Sequence, residues 1–276
     1  MGRTVEAEVE LTVVSWNLDG WHTIHDEQLA LLDSTGADLA LLQEVTPASL
    51  QLLREAGWTG QSALELVDGG HTERGGRDPR FACAVLARDW VALGSATLVA
   101  DAPSPVRACA AEARVDGFRF LAVSAALPPG SMWGRAAKVG QADALTRAVQ
   151  ATGLPAVIGM DRNGPRTEAW ETSQTRWWPE DPPGFFAADA AHGCRDVLDL
   201  WLADNPAGAD ADRRARPDGP RAVSYVERRA TPSIPRRYDV VLVSDAFQPT
   251  QVRYRYEESI EAGSDHGLVE ATLAVA

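Results

Sequence analysis

The chain has 276 residues, 45% of them hydrophobic, and a formal net charge of −13 at pH 7. Its length suits one large domain or two small ones, and its charge argues against a broad basic surface for duplex DNA. No apolar run approaches the roughly 20 residues that span a bilayer. Residues 1–10 lack the basic-then-apolar order of a secretion signal, and three scattered cysteines are too few for a disulfide framework or a zinc site. We therefore expect a reducing, cytoplasmic location.

The first half of the chain alternates short apolar runs with helical patterns. The predicted elements are a strand at 11–15, a helix at 26–35, a strand at 38–42, a helix from 47 to a stop at 57, and strands at 81–87, 91–99, 106–115 and 118–124. A polar, glycine-rich loop is expected at 68–80. The strands after it are separated by little or no helix, which indicates antiparallel pairing.

The second half returns to mixed helices and strands. The predicted elements are a helix at 138–152, a strand at 156–158, a short helix at 196–202, a long basic loop at 203–236, and strands at 240–243 and 268–275. Mixed elements of this kind imply α/β layers. We expect one domain over 1–276, a four-layer α/β/β/α sandwich of two mixed sheets packed face to face with helices outside.

Five short polar motifs each follow an apolar run. They are Ser15-Trp16-Asn17-Leu18-Asp19, Gln43-Glu44, Gly159-Met160-Asp161-Arg162-Asn163, Arg237-Tyr238-Asp239 and Ser264-Asp265-His266. Carboxylates, carboxamides and an imidazole are the side chains that hold a hard cation and move protons. Motifs spread from residue 15 to residue 266 come together only in a single fold. They therefore predict strands that converge on one metal-dependent active site.

The order and spacing of these motifs resemble the endonuclease/exonuclease/phosphatase superfamily, the deoxyribonuclease-I-like phosphoesterases. The resemblance runs from Ser15 to Val269, and the opening Ser-Trp-Asn-Leu-Asp-Gly is most similar to the exonuclease III and abasic-endonuclease branch. It implies hydrolysis of a phosphodiester P–O bond by metal-assisted attack of water. The implied cofactor is Mg²⁺, and Mn²⁺ is equally compatible because both ions prefer oxygen ligands.

The resemblance also implies which residues hold the metal. Glu44 would be the main ligand, with Asn17 and Asp265 completing or orienting the shell and Asp19 supporting it. Oxygen ligands of this kind suit Mg²⁺, which takes one or two carboxylates from the protein and keeps water elsewhere. The cation would offset the charge that develops on the phosphate oxygens.

Four further residues are implied to carry the reaction. The residue at Asp161 would activate or orient the attacking water, and Asn163 would donate its amide to the phosphate. His266, oriented by Asp239, would hydrogen-bond a phosphate oxygen or assist proton transfer. A buried Asp–His pair can also be purely structural, so the role of this pair is an open alternative.

One position departs from the family pattern. The strand at 120–128 resembles the one that delivers a catalytic histidine, or a tyrosine in the abasic-endonuclease branch, but here the position is Ala126. A lost hydrogen bond to a charged phosphate is worth roughly 1.5–3 kcal/mol, which corresponds to about a ten- to hundredfold loss of rate. Arg107 and the arginines of the 213–237 stretch are candidate replacements. Arg107, Arg236 and Arg237 are therefore the predicted substrate-binding residues.

Two other segments have both a functional and a structural interpretation. The arginines of 213–237 form either a phosphate-binding strip or a solvated loop that balances an acidic protein. The aromatic residues Trp170, Trp177, Trp178, Phe185 and Phe186 either stack on bases or pack an inserted loop onto the domain.

The sequence favours a nuclease acting on DNA or RNA, and two alternatives stay open. One keeps the chemistry but acts on a small-molecule, nucleotide or lipid-headgroup phosphate. The other is a non-catalytic member that binds a phosphorylated ligand or a protein partner, with Ala126 as its support. No motif predicts a particular protein partner, and we expect a monomer.

Overall fold

The computed structural model describes residues 9–68, 79–168, 171, 182–228 and 232–275. Most of the predicted glycine-rich loop, at 69–78, therefore lies outside the described residues. The strands are β1 (Glu10–Asn17), β2 (Leu39–Val45), β3 (Thr59–Ser62), β4 (Ala82–Ala87), β5 (Ala92–Leu93), β6 (Thr97–Leu98), β7 (Ala108–Val115), β8 (Phe118–Ala126), β9 (Ala156–Arg166), β10 (Cys194–Asp196), β11 (Tyr225–Glu227), β12 (Ile234–Ser244), β13 (Phe247–Arg255) and β14 (Leu268–Val275). The helices are α1 (Asp26–Ser34), α2 (Pro47–Glu55), α3 (Gly130–Trp133), α4 (Arg135–Thr152), α5 (Val197–Asp204), α6 (Pro206–Ala215) and α7 (Tyr256–Glu261).

The strands of the described residues form two mixed sheets. Sheet 1 has the order β13-β14-β1-β2-β4-β3, and sheet 2 has the order β10-β12-β9-β8-β7-β5, with β11 on β12 and β6 on β7. Each sheet has one parallel pair, β1 with β2 and β8 with β9. A parallel pair needs a crossover, which α1 supplies in sheet 1 and α4 in sheet 2. Polar motifs lie at the carboxyl ends of β1 and β2 and within β9.

Apolar side chains fill the spaces between the layers. On β2, Leu39 and Leu41 belong to the cluster between the sheets, while Ala40 and Leu42 pack toward α1 and α2. A third cluster, which includes Leu145 of α4, covers the outer face of sheet 2. Strands buried on both faces read as continuous apolar runs, which explains why the sequence predicted them. The predicted four-layer α/β/β/α sandwich is confirmed.

The prediction of a long loop at 203–236 was wrong. The segment contains α6, β11 and the beginning of β12. Helix α6 begins with Pro206 after Asn205, whose Oδ1 accepts a hydrogen bond from Gly208 N at 3.1 Å. The helix has no buried residue, so it has no apolar stripe for a periodicity argument to detect. The predicted strand at 91–99 is reduced to the two short strands β5 and β6.

The two sheets come very close together just below the polar motifs. A Cβ atom on Gly159 would lie 2.5 Å from Leu41 Cβ and 2.9 Å from Ser15 Cβ, so only glycine fits there. Beside it, the buried amide of Gln43 donates to Leu41 O at 2.8 Å and to Ser124 Oγ at 3.2 Å. These contacts tie β2 of sheet 1 to β8 of sheet 2 and fix the separation of the strands that carry the site.

Candidate active site

A cleft of about 610 Å³ opens at the edge where the two sheets meet. It is lined by side chains from both sheets and from the loops that follow their strands. The predicted residues that line it are Asn17, Asp19, Glu44, Asp161, Asn163, Asp265 and His266. Asp239 is fully buried directly behind His266. The structure therefore brings together every predicted metal and catalytic residue, although they come from distant parts of the chain.

Asn17, the last residue of β1, links the two sides of the cleft. Its Nδ2 donates to Asp161 Oδ2 at 3.2 Å, and its Oδ1 accepts from Asp19 N at 3.0 Å. The backbone around it is held by Ser264 Oγ, which donates to Asn17 O at 2.7 Å. Asn17 thus fixes Asp161 from sheet 1 and bends the chain so that Asp19 enters the cleft.

Glu44 is placed by an irregularity in β2. The register between β2 and β4 shifts between Leu42 and Val45, and Glu44 has a φ of 57°, a conformation that a residue with a Cβ rarely adopts. Bulges of this kind re-aim a side chain, and here the carboxylate accepts a hydrogen bond from Gly20 N at 3.0 Å. Strained backbone of this type is concentrated at functional sites.

On the other side of the cleft, Asp161 occupies the middle of a row across three strands. Its Cα pairs with Ala126 on β8 and with Asp239 on β12. The Asp161 carboxylate accepts from Asn163 N at 2.7 Å and from Asn163 Nδ2 at 2.9 Å. The same Asn163 amide also donates to Leu127 O at 2.8 Å, so in this conformation it orients Asp161. Ala126 brings no polar group to the row.

Asp239 and His266 form a buried pair. His266 Nδ1 lies 2.8 Å from Asp239 Oδ2, which leaves Nε2 as the ring nitrogen for the cleft. Burial raises the pKa of Asp239, and although burial by itself lowers the pKa of His266, the carboxylates of Asp239, Asp161 and Asp265 raise it well above its ordinary value. Without a metal, the imidazole therefore keeps its proton near neutral pH.

The electrostatics of the cleft fit a divalent cation. Burial raises the pKa of Glu44, and the carboxylate of Asp161 adds to this rise. Burial raises the pKa of Asp265 as well, and Asp19 and Asp161 act in the same direction. Glu44 Oε1 has no hydrogen-bond partner among the described residues. Carboxylates that repel one another around an open space are a suitable ligand set for a hard cation.

A second group of ligand atoms lies deeper in the cleft. Carboxylate oxygens of Asp161 and Asp239 and a ring nitrogen of His266 lie within 4.8 Å of one another, close enough to share one ion. In the present arrangement, Asp239 and His266 are hydrogen-bonded to each other. This hydrogen bond uses His266 Nδ1 and Asp239 Oδ2.

The structure does not bring Arg236 and Arg237 to the cleft. Both guanidinium groups are buried, because Arg236 pairs with Glu171 at 3.2 Å and Arg237 pairs with Asp196 at 2.8 Å. Arginines on an extended strand alternate in direction, but both sides of β12 are covered here. In this structure, these two predicted substrate-binding residues bind carboxylates of the protein itself.

Arg107 is nearer to the site. It ends the short 3₁₀ turn Pro105–Arg107 directly before β7, whose first residue, Ala108, pairs with Ala125. The charge of Arg107 opposes the rise in the pKa of Glu44. Its buried Nε has no hydrogen-bond partner among the described residues. Arg107 therefore acts electrostatically on Glu44, but it is not among the residues that line the cleft.

The other basic and aromatic candidates lie mostly elsewhere. Arg221 pairs with Asp199 and Glu168, and Arg216 pairs with Asp212. Phe185 packs edge to face against Phe186, and Arg162 Cζ lies 4.0 Å from the centre of the Phe186 ring. These two rings therefore belong to the packing on sheet 2. Trp170, Trp177 and Trp178 lie outside the described residues.

Arg228, one of the arginines of the predicted 213–237 strip, lines the cleft. Sequence reasoning did not select four other residues that line it: Trp21, Met132, Tyr225 and Tyr238. Trp21 directly follows the first motif, so its position was a usable signal. The rings of Tyr225 and Tyr238 stack at 4.7 Å, but Tyr225 lies in the segment that was predicted to be a loop. Across the described residues, no helix is both long enough and apolar enough to cross a membrane.

Solved structures with the same fold cover nearly the whole chain. An endonuclease/exonuclease/phosphatase protein from Bacteroides vulgatus matches at a TM-score of 0.67 and 15% identity, over 98% of this chain and 100% of that one. The human Nocturnin catalytic domain with bound sulfate matches at 0.64 and 16%, over 98% and 96%. TDP2 from D. rerio in complex with a single-strand DNA product matches at 0.61 and 14%, over 97% and 100%.

These likenesses establish the fold. The predicted resemblance to the endonuclease/exonuclease/phosphatase superfamily is confirmed at that level, while the closer likeness to the exonuclease III branch stays a prediction. No protein-family model matches the chain, and no curated protein sequence matches it.

Proposed function

We propose that this chain, whose fold is that of the endonuclease/exonuclease/phosphatase superfamily, is a divalent-metal-dependent phosphodiesterase that acts as a nuclease. One observation carries the proposal: carboxylates from both sheets meet in a single cleft with few positive charges to balance them. Glu44 and Asp265 come from sheet 1, and Asp161 comes from sheet 2. Such a site binds a cation, and the cation in turn binds a phosphate.

The residues of sheet 1 would hold the metal. Glu44 is the main ligand in this proposal, with Asn17, Asp265 and Asp19 completing or orienting the set, and Mg²⁺ or Mn²⁺ as the ion. When bound, the ion offsets the negative charge that develops on the phosphate oxygens during hydrolysis. The Gly20 N–H holds one oxygen of Glu44 in place and leaves the other for the ion.

Asp161 of sheet 2 would activate the water, and His266, which precedes β14 of sheet 1, would donate a proton to the phosphate. Asp161 is held by hydrogen bonds from Asn17 and Asn163, so its carboxylate is positioned to accept a proton from the attacking water or to orient it. His266 carries a proton that its Nε2 can donate to a phosphate oxygen, while Asp239 fixes the ring. Asn163 then acts as a positioning residue for Asp161.

Support for a nuclease comes from the motifs, the fold and the rim of the cleft. The opening motif is most similar to nucleases of the family, and the similar TDP2 of D. rerio was solved with a single-strand DNA product. Arg228, which is exposed, lines the cleft and can contact a phosphate beside the reacting one. We also propose a cytoplasmic location, for which the support is that all three cysteines are buried thiols.

The alternative of a non-catalytic binding protein rests on Ala126. This residue is buried beside Asp161 and provides no donor. We propose that Arg107 supplies the missing positive charge, because its Nε has no hydrogen-bond partner in the part of the chain that the structure describes and its charge acts on Glu44. An arginine can bind a phosphate with two parallel hydrogen bonds, so the loss of the usual group weakens the site without removing its chemistry.

The test is hydrolysis of a phosphoester panel with Mg²⁺ or Mn²⁺. The panel contains single- and double-stranded DNA, RNA, abasic duplex, nucleotides, inositol phosphates and lipid headgroups. We expect metal-dependent cleavage of nucleic acid by the wild type, and a fall of at least about a hundredfold in Asp161→Ala because the water loses its acceptor. The matched control is Asp245→Ala, an exposed aspartate that directly follows β12, does not line the cleft and pairs with Arg195.

Three results would change the conclusion. Cleavage of a small phosphoester in preference to every nucleic acid would assign the small-molecule alternative. Equal activity in Asp161→Ala and wild type would remove the proposed base. No cleavage of any substrate, together with tight binding of a phosphorylated ligand, would favour the non-catalytic protein.

A further inference from the structure

Two of the most exposed apolar side chains lie on the rim of the active-site cleft. Among the described residues, the strongly exposed large hydrophobic side chains are Trp21 at 68%, Met132 at 67% and Trp90 at 46%. Trp21 follows β1 of sheet 1, and Met132 lies in α3 after β8 of sheet 2. Both line the cleft that contains Asp161. Isolated exposed apolar residues need no explanation, but two of them at one polar cleft point to an apolar part of the ligand.

Trp21 is held in place by the residues that also hold Glu44. It lies in a tight turn in which His22 N donates to Asp19 O at 3.2 Å, and the preceding Gly20 N donates to Glu44 Oε2. A Cβ atom on Gly20 would lie 2.5 Å from the ring of Phe81, so the turn is pressed against that ring. Phe81 meets the indole of Trp21 edge to face at 6.2 Å. The indole is thus fixed relative to the proposed metal ligand.

A basic side chain accompanies the indole. The guanidinium of Arg80, which is exposed, lies 5.9 Å from the centre of the Trp21 ring. An aromatic ring next to an arginine is the arrangement that binds single-stranded nucleic acid, because the ring stacks on a base and the cation meets the backbone. A base has a flat apolar face of the right size for an indole. An alkyl chain would gain nothing from the arginine.

We propose that Trp21 selects the substrate by stacking on an unpaired or terminal nucleobase next to the phosphodiester that is cleaved. The inference rests on the proposed hydrolysis and specifies its substrate class. In a duplex, both faces of an internal base are covered by its neighbours, so an indole at the rim can reach only a base in a single strand or at an end. The net charge of −13 agrees with this choice, since it disfavours the wide contact with a duplex backbone.

The proposal is tested by comparing strands with and without bases. The proteins are wild type, Trp21→Leu, Trp21→Phe and, as matched control, Trp90→Leu, whose indole is also exposed but does not line the cleft. The probes are a short single-stranded DNA, the same strand with abasic sites around the cleaved phosphodiester, its blunt duplex, and an alkyl phosphodiester. We measure kcat and KM with Mg²⁺, and Kd by fluorescence anisotropy in EDTA, where no cleavage occurs.

We expect Trp21→Leu to raise KM and Kd for the single strand by about 5- to 100-fold, with a smaller change in kcat. The abasic strand and the alkyl phosphodiester should change less than about threefold, and the blunt duplex, which presents accessible bases only at its ends, should change less than the single strand. Trp21→Phe should recover most of the affinity, since phenylalanine also stacks, and Trp90→Leu should match the wild type.

Two outcomes would overturn the assignment. Equal losses on the base-bearing and abasic strands would show that Trp21 only supports the fold of the rim. A loss confined to the alkyl phosphodiester would assign the indole to an apolar tail. If the wild type cleaves none of the probes, hydrolysis is refuted, while the Kd values in EDTA still decide whether Trp21 stacks on a base.

Discussion

Two groups of buried carboxylates in this molecule differ in their counter-charges. One group, which we call the arginine network, lies under α5 and alternates carboxylates with guanidinium groups. Its members are Arg166, Arg221, Arg237, Glu168, Asp196 and Asp199. The other group is the cleft, where carboxylates outnumber the cations near them. Among the described residues, the network pairs three guanidinium groups with three carboxylates, whereas the cleft has no such balance.

The two groups differ in how the charge of each carboxylate is balanced. Asp196 accepts from Arg237 at 2.8 Å and from Arg166 at 3.4 Å, so its charge is satisfied. Asp265 faces other carboxylates, and burial raises its pKa. The arginine network and the cleft both contain aspartates and glutamates, and most of their carboxylates are shielded from solvent to a similar degree. The missing counter-charge therefore marks the cleft as the place that takes a ligand.

The largest expected effect comes from opening the arginine network. Arg237→Met leaves Asp196 and Glu168 buried without their main partner, and we expect it to lower the free energy of unfolding by about 3–5 kcal/mol. Chemical denaturation in EDTA measures this loss. The comparison variant in the cleft is Asp161→Asn, which removes one of several repelling charges and should be neutral or stabilising. A loss of less than about 1 kcal/mol in Arg237→Met would remove the distinction between the two groups.

Should Arg237→Met give no folded protein, Arg166→Met provides the same test with a less buried guanidinium. Arg166 pairs with Asp199 at 2.6 Å, and we expect its substitution to lower the free energy of unfolding by less than Arg237→Met does. A stable, unchanged Arg166→Met protein would contradict the idea that the network carries the stability.

A smaller effect is expected when a metal supplies the counter-charge of the cleft. At a Mg²⁺ or Mn²⁺ concentration about 100 times its Kd, the wild type should gain roughly 2.7 kcal/mol of unfolding free energy, because the ion binds only the folded chain. In Glu44→Gln, most of this gain should disappear while the metal-free stability stays equal or rises. Thermal or urea unfolding with and without metal measures both quantities.

The matched control for the metal is Glu168→Gln in the arginine network. It should lose metal-free stability yet keep the full metal-dependent gain, since the Glu168 carboxylate pairs with three arginines of the network and does not line the cleft. The same gain in Glu44→Gln as in the wild type would place the metal elsewhere, with Asp161, Asp239 and His266 as the next candidates.

The smallest expected effect is a pH dependence within the cleft itself. The carboxylates around His266 raise its pKa from 6.5 to about 10 despite burial, so its charged form stabilises the folded protein fully below pH 6.5 and progressively less as the pH rises to about 10. The raised pKa of Asp239 lies below this range, at about 6, and adds no slope to it. We therefore expect the metal-free stability to decline between pH 6.5 and 10.

The variant that isolates this slope is the double change Asp239→Asn with His266→Gln, which keeps a hydrogen-bonded neutral pair. Its stability should decline less than that of the wild type over the same range. An identical decline in both proteins would mean that His266 does not hold its proton in the folded state.

The site was predictable because its chemistry is concentrated where apolar strands end. Residues such as Glu44 and Asp161 follow runs that can only be buried strands, so their convergence was a consequence of the fold. The strand β13 was not predicted, because Gln248, Thr250 and Arg253 give it an exposed face and it lies at the edge of sheet 1. Apolar runs in a sequence indicate buried strands, and an edge strand with one exposed face does not produce such a run.

The roles of the arginines could not be predicted from sequence. Arg236 and Arg237 lie three and two residues before Asp239, which suggested a place at the cleft. Their direction depends on the register shift between Arg237 and Asp239 and on carboxylates that come from elsewhere in the chain. Charge pairing over such distances leaves no local pattern. The same limit applies to Trp21, whose exposure depends on the turn that Gly20 and Glu44 define.

The close approach of the sheets at Gly159 has a consequence for catalysis. Gly159 lies two residues before Asp161, and its missing side chain lets β9 rest directly on Ser15 and Leu41. The contact at Gly159 therefore fixes the distance between the two sheets, and with it the separation of the strand ends that carry the cleft residues. An added methyl group at Gly159 would push the two sheets apart and move Asp161 away from Glu44. The absence of a Cβ atom at Gly159 thus sets the distance between Asp161, the proposed base, and Glu44, the proposed metal ligand.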